Sequence, residues 1–155
     1  MRVNTRLFSE IEVEEEKIIR LETGIIGFPD LKNFTLIYDS DSDDGSKTNI
    51  MWFQSLDEPQ FAMPVLSPTV VRPDYNPHVE DELLSGLGEL NEDNLFVLVT
   101  VKVPKNIEGM TVNLKAPIII NTDTMKGGQI IVEDDEQVRF PIYELLKNAK
   151  EERGE

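Results

Sequence analysis

Residues 111–121 alternate polar with apolar side chains and then run into three consecutive isoleucines. A period of two is typical of a strand with one exposed face and one buried face. Pro117 interrupts the pattern because it supplies no backbone N–H, and residues 118–120 resume an extended apolar run that ends at Asn121. The sequence specifies both faces of this segment. We therefore expect it to form a central pair of strands.

Short strand patterns of this kind recur along the chain. The clearest is 95–103, where alternate positions are valine. Leucines at helical spacing predict a short helix within 81–90, and residues 143–153 predict another that ends in a frayed tail at 150–155. We expect an all-β fold, an antiparallel barrel or sandwich of about 8–10 short strands with one or two short helices. No change in composition marks a linker, so residues 1–155 are expected to form a single domain.

Glycine and proline predict three local features. Residues 23–30 are too rich in both for regular structure, and we expect a tight loop that exposes Ile25, Ile26 and Phe28. Pro64 confines its segment to a sheet edge, a bend or a bulge. The pair at 127–128 predicts a turn before a strand at 129–132.

The overall charge argues against several classes of partner. Thirty acidic residues and fifteen basic ones give a formal net charge of −15 at pH 7. Direct binding of nucleic acid or of an anionic membrane is disfavoured, because both need clustered cations. A basic protein would instead be attracted over long range. The simpler alternative is that an acidic surface keeps the protein soluble.

The acidic residues are unevenly spread along the chain. Residues 73–101 contain seven carboxylates and no lysine or arginine. Such a run must be spread over a solvated surface, because its charges repel one another. We predict that it forms a docking face for a basic partner, with Glu80, Asp81 and Glu82 steering association.

The sequence contains no pattern that requires catalysis. There are no cysteines, His78 is the single histidine, and no nucleophile motif or phosphate-binding glycine loop is present. The loop Asp39–Asp44 places carboxylates at the first, third and fifth positions of a calcium-loop pattern, but its sixth position is not glycine and its twelfth is Ile50. We expect no enzyme, no cofactor and no specific metal. A barrel that binds a divalent metal or small ligand through this loop remains the alternative.

The location of the protein follows from what the sequence lacks. No stretch approaches the roughly 20 apolar residues that a membrane helix needs, and no signal-peptide pattern is present. The absence of cysteine fits a reducing compartment. We expect a cytoplasmic protein.

Six short motifs, taken in chain order, resemble the FliW family of flagellar assembly factors. They are Gly-Ile-Ile-Gly-Phe-Pro-Asp-Leu at 24–31 followed by Phe34, Phe-Gln-Ser-Leu at 53–56 followed by Phe61, Arg-Pro-Asp-Tyr at 72–75, Thr-Val-Asn-Leu-Lys-Ala-Pro-Ile-Ile-Ile-Asn at 111–121, Gly-Gln at 128–129 and Arg-Phe-Pro-Ile at 139–142. Together they span nearly the whole chain.

The resemblance implies an interaction protein rather than a catalyst. Members of the FliW family bind newly made flagellin in the cytoplasm. They also bind the RNA-binding translational regulator CsrA and relieve its repression of flagellin synthesis. Because flagellin and CsrA compete for the factor, export of flagellin frees it to act on CsrA.

The resemblance supplies no short site motif, so contact residues must be chosen by their chemistry. Polar side chains on apolar strands and side chains on exposed loops are the candidates for a partner groove. We predict partner contacts at Phe28, Gln54, Ser55, Asp74, Tyr75, Asn113, Lys115 and Asn121. For Asn113 and Lys115 the alternative is an ordinary solvent-facing strand surface.

Overall fold

A computed structural model describes residues 2–5, 8–38, 50–77, 79 and 81–146. Eleven strands lie within these residues, and the expectation of an all-β fold is confirmed. The strands are β1 (Arg2–Thr5), β2 (Ser9–Glu12), β3 (Ile19–Leu21), β4 (Asn33–Tyr38), β5 (Met51–Ser55), β6 (Ala62–Leu66), β7 (Leu95–Lys102), β8 (Thr111–Val112), β9 (Ile118–Asn121), β10 (Lys126–Gln129) and β11 (Phe140–Pro141).

Seven of these strands close into a barrel. Its order is β7-β6-β5-β4-β3-β10-β9, and the ring closes because β9 also pairs with β7. Within the described sheet every pairing is antiparallel except that of β3 with β10. A separate hairpin of β1 and β2 lies beside the barrel, and β8 and β11 extend the sheet from β7. Closure leaves few free edges among the ring strands.

Helix is confined to short pieces. Helix α1 (Asp81–Leu84) runs directly into a 3-10 turn, Ser85–Leu87, and a further helical turn lies at 143–146. The first piece lies within the predicted helical segment 81–90, and the second lies at the start of the predicted segment 143–153. The predicted tail at 150–155 lies outside the described residues. Within the described part of the chain, no helix is long and apolar enough to cross a bilayer.

Segment 111–121 forms two strands along the same side of β7, as its pattern predicts. The alternation of buried side chains persists through Leu114 and Ala116. The first strand is shorter than expected, however. The Oδ1 atom of Asn113 accepts hydrogen bonds from the N–H groups of Lys115 at 3.0 Å and Ala116 at 3.2 Å. This local turn competes with the ladder and ends β8 early.

The expectation drawn from proline holds locally, and one drawn from glycine is wrong. Strand β6 lies inside the sheet, but Pro64 is at a local edge, because it pairs with Trp52 of β5 while the ladder to β7 starts only at Val65. Gly127 lies inside β10 and not in a turn. A Cβ at Gly127 would lie 2.9 Å from the Ile119 carbonyl oxygen, so glycine here allows close approach of two strands.

Aromatic stacking fills the barrel interior. The rings of Phe34 and Phe53 are parallel within 11°, their centroids 4.4 Å apart, and both side chains are fully buried. Apolar side chains from β3, β6, β7 and β9 pack around them. Truncation of either phenylalanine to alanine in such a setting costs about 3–5 kcal/mol. The barrel therefore provides a rigid support for whatever lies on its surface.

Candidate functional site

An apolar concavity lies where β6 ends beside β7. It has a volume of about 730 Å³ and is called the β7 cleft below. Its defining apolar and aromatic wall consists of Pro68, Tyr75, Val79, Leu84, Leu95 and Val97. The Leu95 side chain is 46% exposed at the mouth. Concave apolar surfaces with few polar groups are the usual sites of ligand and peptide recognition.

The cleft exists because β6 stops before β7 does. Ser67 is followed by a 3-10 turn, Pro68–Val70, which carries the chain away from the sheet. Pro68 lies opposite Val97 when the register of Leu66 with Val99 is continued. Proline has no N–H to donate, and the Pro68 carbonyl already accepts from Val71 at 3.2 Å and Arg72 at 2.9 Å. The ladder between β6 and β7 therefore cannot extend to Val97.

Exposed carboxylates occur in the run of sequence, residues 73–101, that supplies most of the wall of the cleft. The exposed acidic residues of the 73–101 run that the structure describes are Asp74, Glu82, Glu89, Glu92 and Asp93. No lysine or arginine occurs in that run. We call these five residues the acidic rim. Field lines from one sign of charge are concentrated beside low-dielectric walls, which raises the local concentration of cationic ligands.

Two buried asparagines hold this segment against the barrel. The Nδ2 atom of Asn121 donates to the carbonyl oxygens of Leu87 at 2.8 Å and Glu89 at 3.2 Å. The Nδ2 atom of Asn94 also donates to the Glu89 carbonyl, at 2.8 Å, and to Asp123 Oδ2 at 3.1 Å. Neutral amides can satisfy these buried carbonyls without adding charge. Asn121 thus positions the acidic segment from beneath.

Four of the eight predicted contact residues are buried and use their polar atoms internally. They are Gln54, Ser55, Tyr75 and Asn121. Gln54 Nε2 donates to three main-chain carbonyls, and Ser55 Oγ accepts from the Glu58 N–H at 2.9 Å. In this conformation they offer a partner almost no surface. Their prediction as contacts rested on polarity, which the structure uses for internal hydrogen bonding instead.

Tyr75 joins the wall of the cleft to segment 111–121. Its hydroxyl donates to the Leu114 carbonyl oxygen at 2.6 Å. Burial, followed by the nearby Glu136 carboxylate, raises the pKa of the phenol, so Tyr75 remains a donor at neutral pH. Arg72 pairs with Glu136, and this hydrogen bond raises the pKa of the guanidinium. These contacts fix the cleft wall and leave Arg72 engaged with acidic neighbours.

The other four predicted residues keep accessible surface but do not form one patch. Asp74 is exposed beside Arg72, at 3.7 Å from its Nε atom. Asn113 and Lys115 are partly buried, and Lys115 Nζ donates to the Asp134 carbonyl at 2.6 Å. Phe28 belongs to a different region. Asp74 therefore lies next in sequence to Tyr75 of the cleft wall, Asn113 lines a different concavity together with Thr111 and Arg139, and Phe28 is separate from both.

Phe28 lies on the glycine-rich loop, residues 23–30, and not at the β7 cleft. Ile25 and Phe28 exchange backbone hydrogen bonds across a tight turn, and the Phe28 ring packs against Phe61 with centroids 4.8 Å apart. Phe28 is 48% exposed, as expected. Ile25 is buried, contrary to expectation, because its side chain enters the barrel core.

Several predicted features fall outside the described residues. These are the Asp39–Asp44 loop, His78, Glu80 and the side chain of Asp81. Of the three predicted steering residues, the structure describes the side chain of Glu82, which is exposed. Among the described residues, no group of three histidine or acidic side chains is arranged to hold a metal ion.

Sequence reasoning missed the apolar part of the site. Pro68, Leu95 and Val97 had been interpreted as ordinary strand and edge residues. A signal was present: β7 begins with apolar residues directly after an acidic run, whereas its partner strand is cut short by Pro68. The strand pairing that exposes them joins residues about thirty positions apart, which no local pattern specifies.

A second cleft of about 690 Å³ lies between β4 and the hairpin side of the barrel. Its wall is also apolar, with Ile11, Ile37 and Phe96 among its residues. Its rim mixes charges, because Lys17 lies with Glu12 and Glu14. The β7 cleft differs from it, because none of the described residues that line the β7 cleft is charged.

Comparison with known proteins assigns the chain to a family. The family model described as FliW protein matches residues 2–142. The flagellar assembly factor FliW of Lachnospira eligens is 51% identical over 152 residues, covering 97% of this chain and 99% of that protein. The flagellar assembly factor FliW of Lachnoclostridium phytofermentans is 47% identical over 157 residues, covering 100% and 99%.

The fold agrees with this assignment. A crystal structure of the flagellar assembly factor FliW superimposes with a TM-score of 0.83 and 26% sequence identity, covering 92% of this chain and 97% of that one. The motifs that suggested the resemblance fall within the matched region. The chain belongs to the FliW family of flagellar assembly factors.

Proposed function

We propose that this protein acts in the cytoplasm as a binding regulator of flagellum assembly that holds flagellin and antagonises CsrA. Binding of CsrA would relieve its repression of flagellin synthesis, and flagellin would compete for the factor. Family membership supports a role in flagellar assembly. The two named partners and the competition between them are the proposal.

The observation that carries the proposal is the acidic rim beside the β7 cleft. Five exposed carboxylates lie in the run of sequence that supplies most of the wall of the cleft, and no lysine or arginine lies in that run. An RNA-binding regulator needs cations to neutralise phosphate. An acidic protein attached to it would attract those cations and repel the RNA backbone. The negative charge of this surface is therefore compatible with antagonism of an RNA-binding protein.

Apolar exposure supplies the second requirement for holding a protein. Phe28 and Ile26 are about half exposed on the glycine-rich loop, and Leu95 is exposed at the cleft mouth. Buried apolar and aromatic anchors usually carry most of the affinity of an interface, while surrounding charges set rate and specificity. We retain Phe28, Asp74, Asn113 and Lys115 as proposed contacts.

The proposal is tested by capture from the cytoplasm of motile cells, with this protein as bait and mass spectrometry as readout. Recovery of flagellin and CsrA, each displaced by an excess of the other, is the expected result. The purified pairs should then show the same competition. Failure to recover either partner with a bait that gives a folded circular dichroism spectrum would overturn the proposal.

Charge reversal at the predicted steering residues should slow association with CsrA. Replacing Glu80, Asp81 and Glu82 together by lysine is expected to lower the association rate constant about tenfold at low salt, because attraction is replaced by repulsion. The rate should also become less dependent on salt. Stopped-flow fluorescence at several ionic strengths measures both effects.

A matched control is present on another surface. Glu14, Glu15 and Glu16 are consecutive and exposed, and their reversal changes the net charge by the same amount. If both triple variants slow association equally, overall charge is responsible and the 73–101 run has no special role.

A further inference from the structure

The edge of β7 within the cleft has unused hydrogen-bonding groups. Residues 95–98 pair with β9, and the Thr122 N–H donates to the Asn94 carbonyl at 2.8 Å, which fixes the phase of that ladder. Peptide groups alternate in direction along an antiparallel strand. Phe96 and Leu98 therefore direct their peptide groups toward β9, and Leu95 and Val97 direct theirs toward the cleft.

One of these groups is engaged and three are available. The Leu95 N–H donates to the Asn91 carbonyl at 3.1 Å. Within the described part of the chain, the Leu95 carbonyl and both polar groups of Val97 have no partner on the cleft side, because the β6 ladder covers only Val65 and Leu66. Pro68 begins the 3-10 turn that takes the chain out of the ladder before it reaches Val97.

An unpaired strand edge usually invites another chain unless it is blocked. Edges are commonly protected by charged side chains on the strand, by bulges or by a covering helix. Here the side chains flanking the free groups are Leu95, Phe96 and Val97, all apolar, and an open concavity of about 730 Å³ lies in front of them. The edge is therefore suited to accept a short strand.

The surroundings indicate what kind of strand. Its side chains would alternate between the face of Val97, where the apolar wall of the cleft lies, and the face of Phe96, while the surrounding 73–101 run supplies negative charge. Apolar residues fit the wall formed by Pro68, Leu84 and Leu95, and lysine or arginine complements the rim. An acidic segment would be repelled by five exposed carboxylates.

We propose that the β7 cleft binds an extended segment of a basic partner by strand addition to Leu95–Val97, with apolar side chains alternating with lysine or arginine. Main-chain hydrogen bonds to Leu95 and Val97 fix its direction and depth, and the pocket between Pro68 and Leu84 takes an apolar side chain. This surface and this mode of recognition go beyond the proposed function, which names partners without naming how they bind.

Designed peptides test the mode of binding without any natural partner. The probe is a fluorescein-labelled peptide of alternating lysine and valine, measured by fluorescence anisotropy against the full chain. Binding that weakens as salt rises is expected. A peptide in which proline replaces the central valine lacks the N–H that would donate to β7, and its affinity should fall at least about tenfold. A peptide with glutamate replacing lysine should show no binding.

Variants of the protein locate the site. Leu95→Lys places a like charge at the cleft mouth and should weaken binding of the lysine–valine peptide about tenfold, whereas Ile107→Lys, at a similarly exposed apolar residue beyond the other end of β7, should leave it unchanged. Leu95 is partly exposed, so its replacement is compatible with folding. A circular dichroism melt of both variants checks this.

Several outcomes would overturn the proposal. Equal binding of the proline-containing peptide would exclude strand addition. Absence of binding, or binding unaffected by Leu95→Lys, would exclude this cleft. Self-association of the protein in sedimentation experiments that Leu95→Lys abolishes would show that a second copy occupies the edge. Capture of flagellin and CsrA from cells is independent of all these results, so the two proposals can fail separately.

Discussion

Replacement of Gln54 by glutamate is expected to destabilise the protein by about 4 kcal/mol at pH 7, because it places an unpaired carboxylate among buried acceptors. The Gln54 Nε2 atom donates to the carbonyl oxygens of Ser55 at 2.9 Å, Pro59 at 3.0 Å and Phe61 at 3.1 Å. The side chain is fully buried. A carboxylate here would face three oxygens and offer no proton. Urea denaturation followed by circular dichroism measures the loss.

The pH dependence of that loss provides a second readout. Burial and the surrounding oxygens raise the pKa of the introduced carboxyl in the folded state above its unfolded value. A group whose pKa is raised by folding contributes its stability below the unfolded pKa and loses it as the pH rises through the folded pKa. The difference between Gln54→Glu and the natural protein should therefore shrink as the pH falls.

The control adds the same charge nearby. Gln60 is exposed in the same connection between β5 and β6, and Gln60→Glu should change the stability by less than about 0.5 kcal/mol. If Gln54→Glu were as stable as Gln60→Glu yet lost partner binding, Gln54 would be a contact residue after all. Loss of stability would instead show that Gln54 acts through its internal hydrogen bonds. In the described part of the chain, Gln54 Oε1 is the buried side-chain atom left without a hydrogen-bond partner.

Gly24→Ala is the second change with a large expected effect, a loss of about 3 kcal/mol from steric conflict added to backbone strain. Gly24 has φ +67°, a region that residues with a Cβ seldom occupy. A Cβ at this position would lie 2.6 Å from the carbonyl oxygens of Phe28 and Pro29. Both are backbone atoms, so no side-chain movement relieves the contact. Thermal and urea unfolding report the change.

Gly27 lies in the same loop and separates the two contributions. Its φ is +90°, but a Cβ there would meet nothing within 4 Å. Gly27→Ala should therefore cost only the strain, about 1–2 kcal/mol. Equal losses for the two variants would show that steric contact with Phe28 and Pro29 is unimportant. A larger loss at Gly24 would show that the close packing of Gly24 on the Phe28 and Pro29 carbonyls contributes to stability.

Local patterns in the sequence predicted the class of fold well. The alternation at 111–116 matches the observed burial, and three of the four valines of 95–103, Val97, Val99 and Val101, fall in the longest strand of the barrel. These patterns succeed because a period of two follows directly from the geometry of a strand. The helical segments were predicted in the same way, because leucines three or four positions apart lie on one face of a helix.

The structure departs from expectation at residues whose role depends on distant partners. Gln54 and Asn121 are polar residues on apolar strands, and such residues either face a partner or satisfy buried backbone groups. The choice depends on where residues 59–61 and 87–89 return in space, which sequence spacing does not specify. Gly127 was assigned to a turn because close approach of β9 and β10 cannot be read from one strand alone.

Barrel closure has a consequence for the timing of folding. The parallel pairing of β3 with β10 joins Arg20 to Lys126, more than a hundred positions along the chain. Contacts of such long sequence separation form slowly, because the entropy of the intervening loop is lost before the contact stabilises anything. During synthesis β3 must wait for β10 to leave the ribosome, with one edge open. The β7 cleft also depends on residues made late, because Pro117 and Ile119 line it, so its wall is complete only after most of the chain has been made.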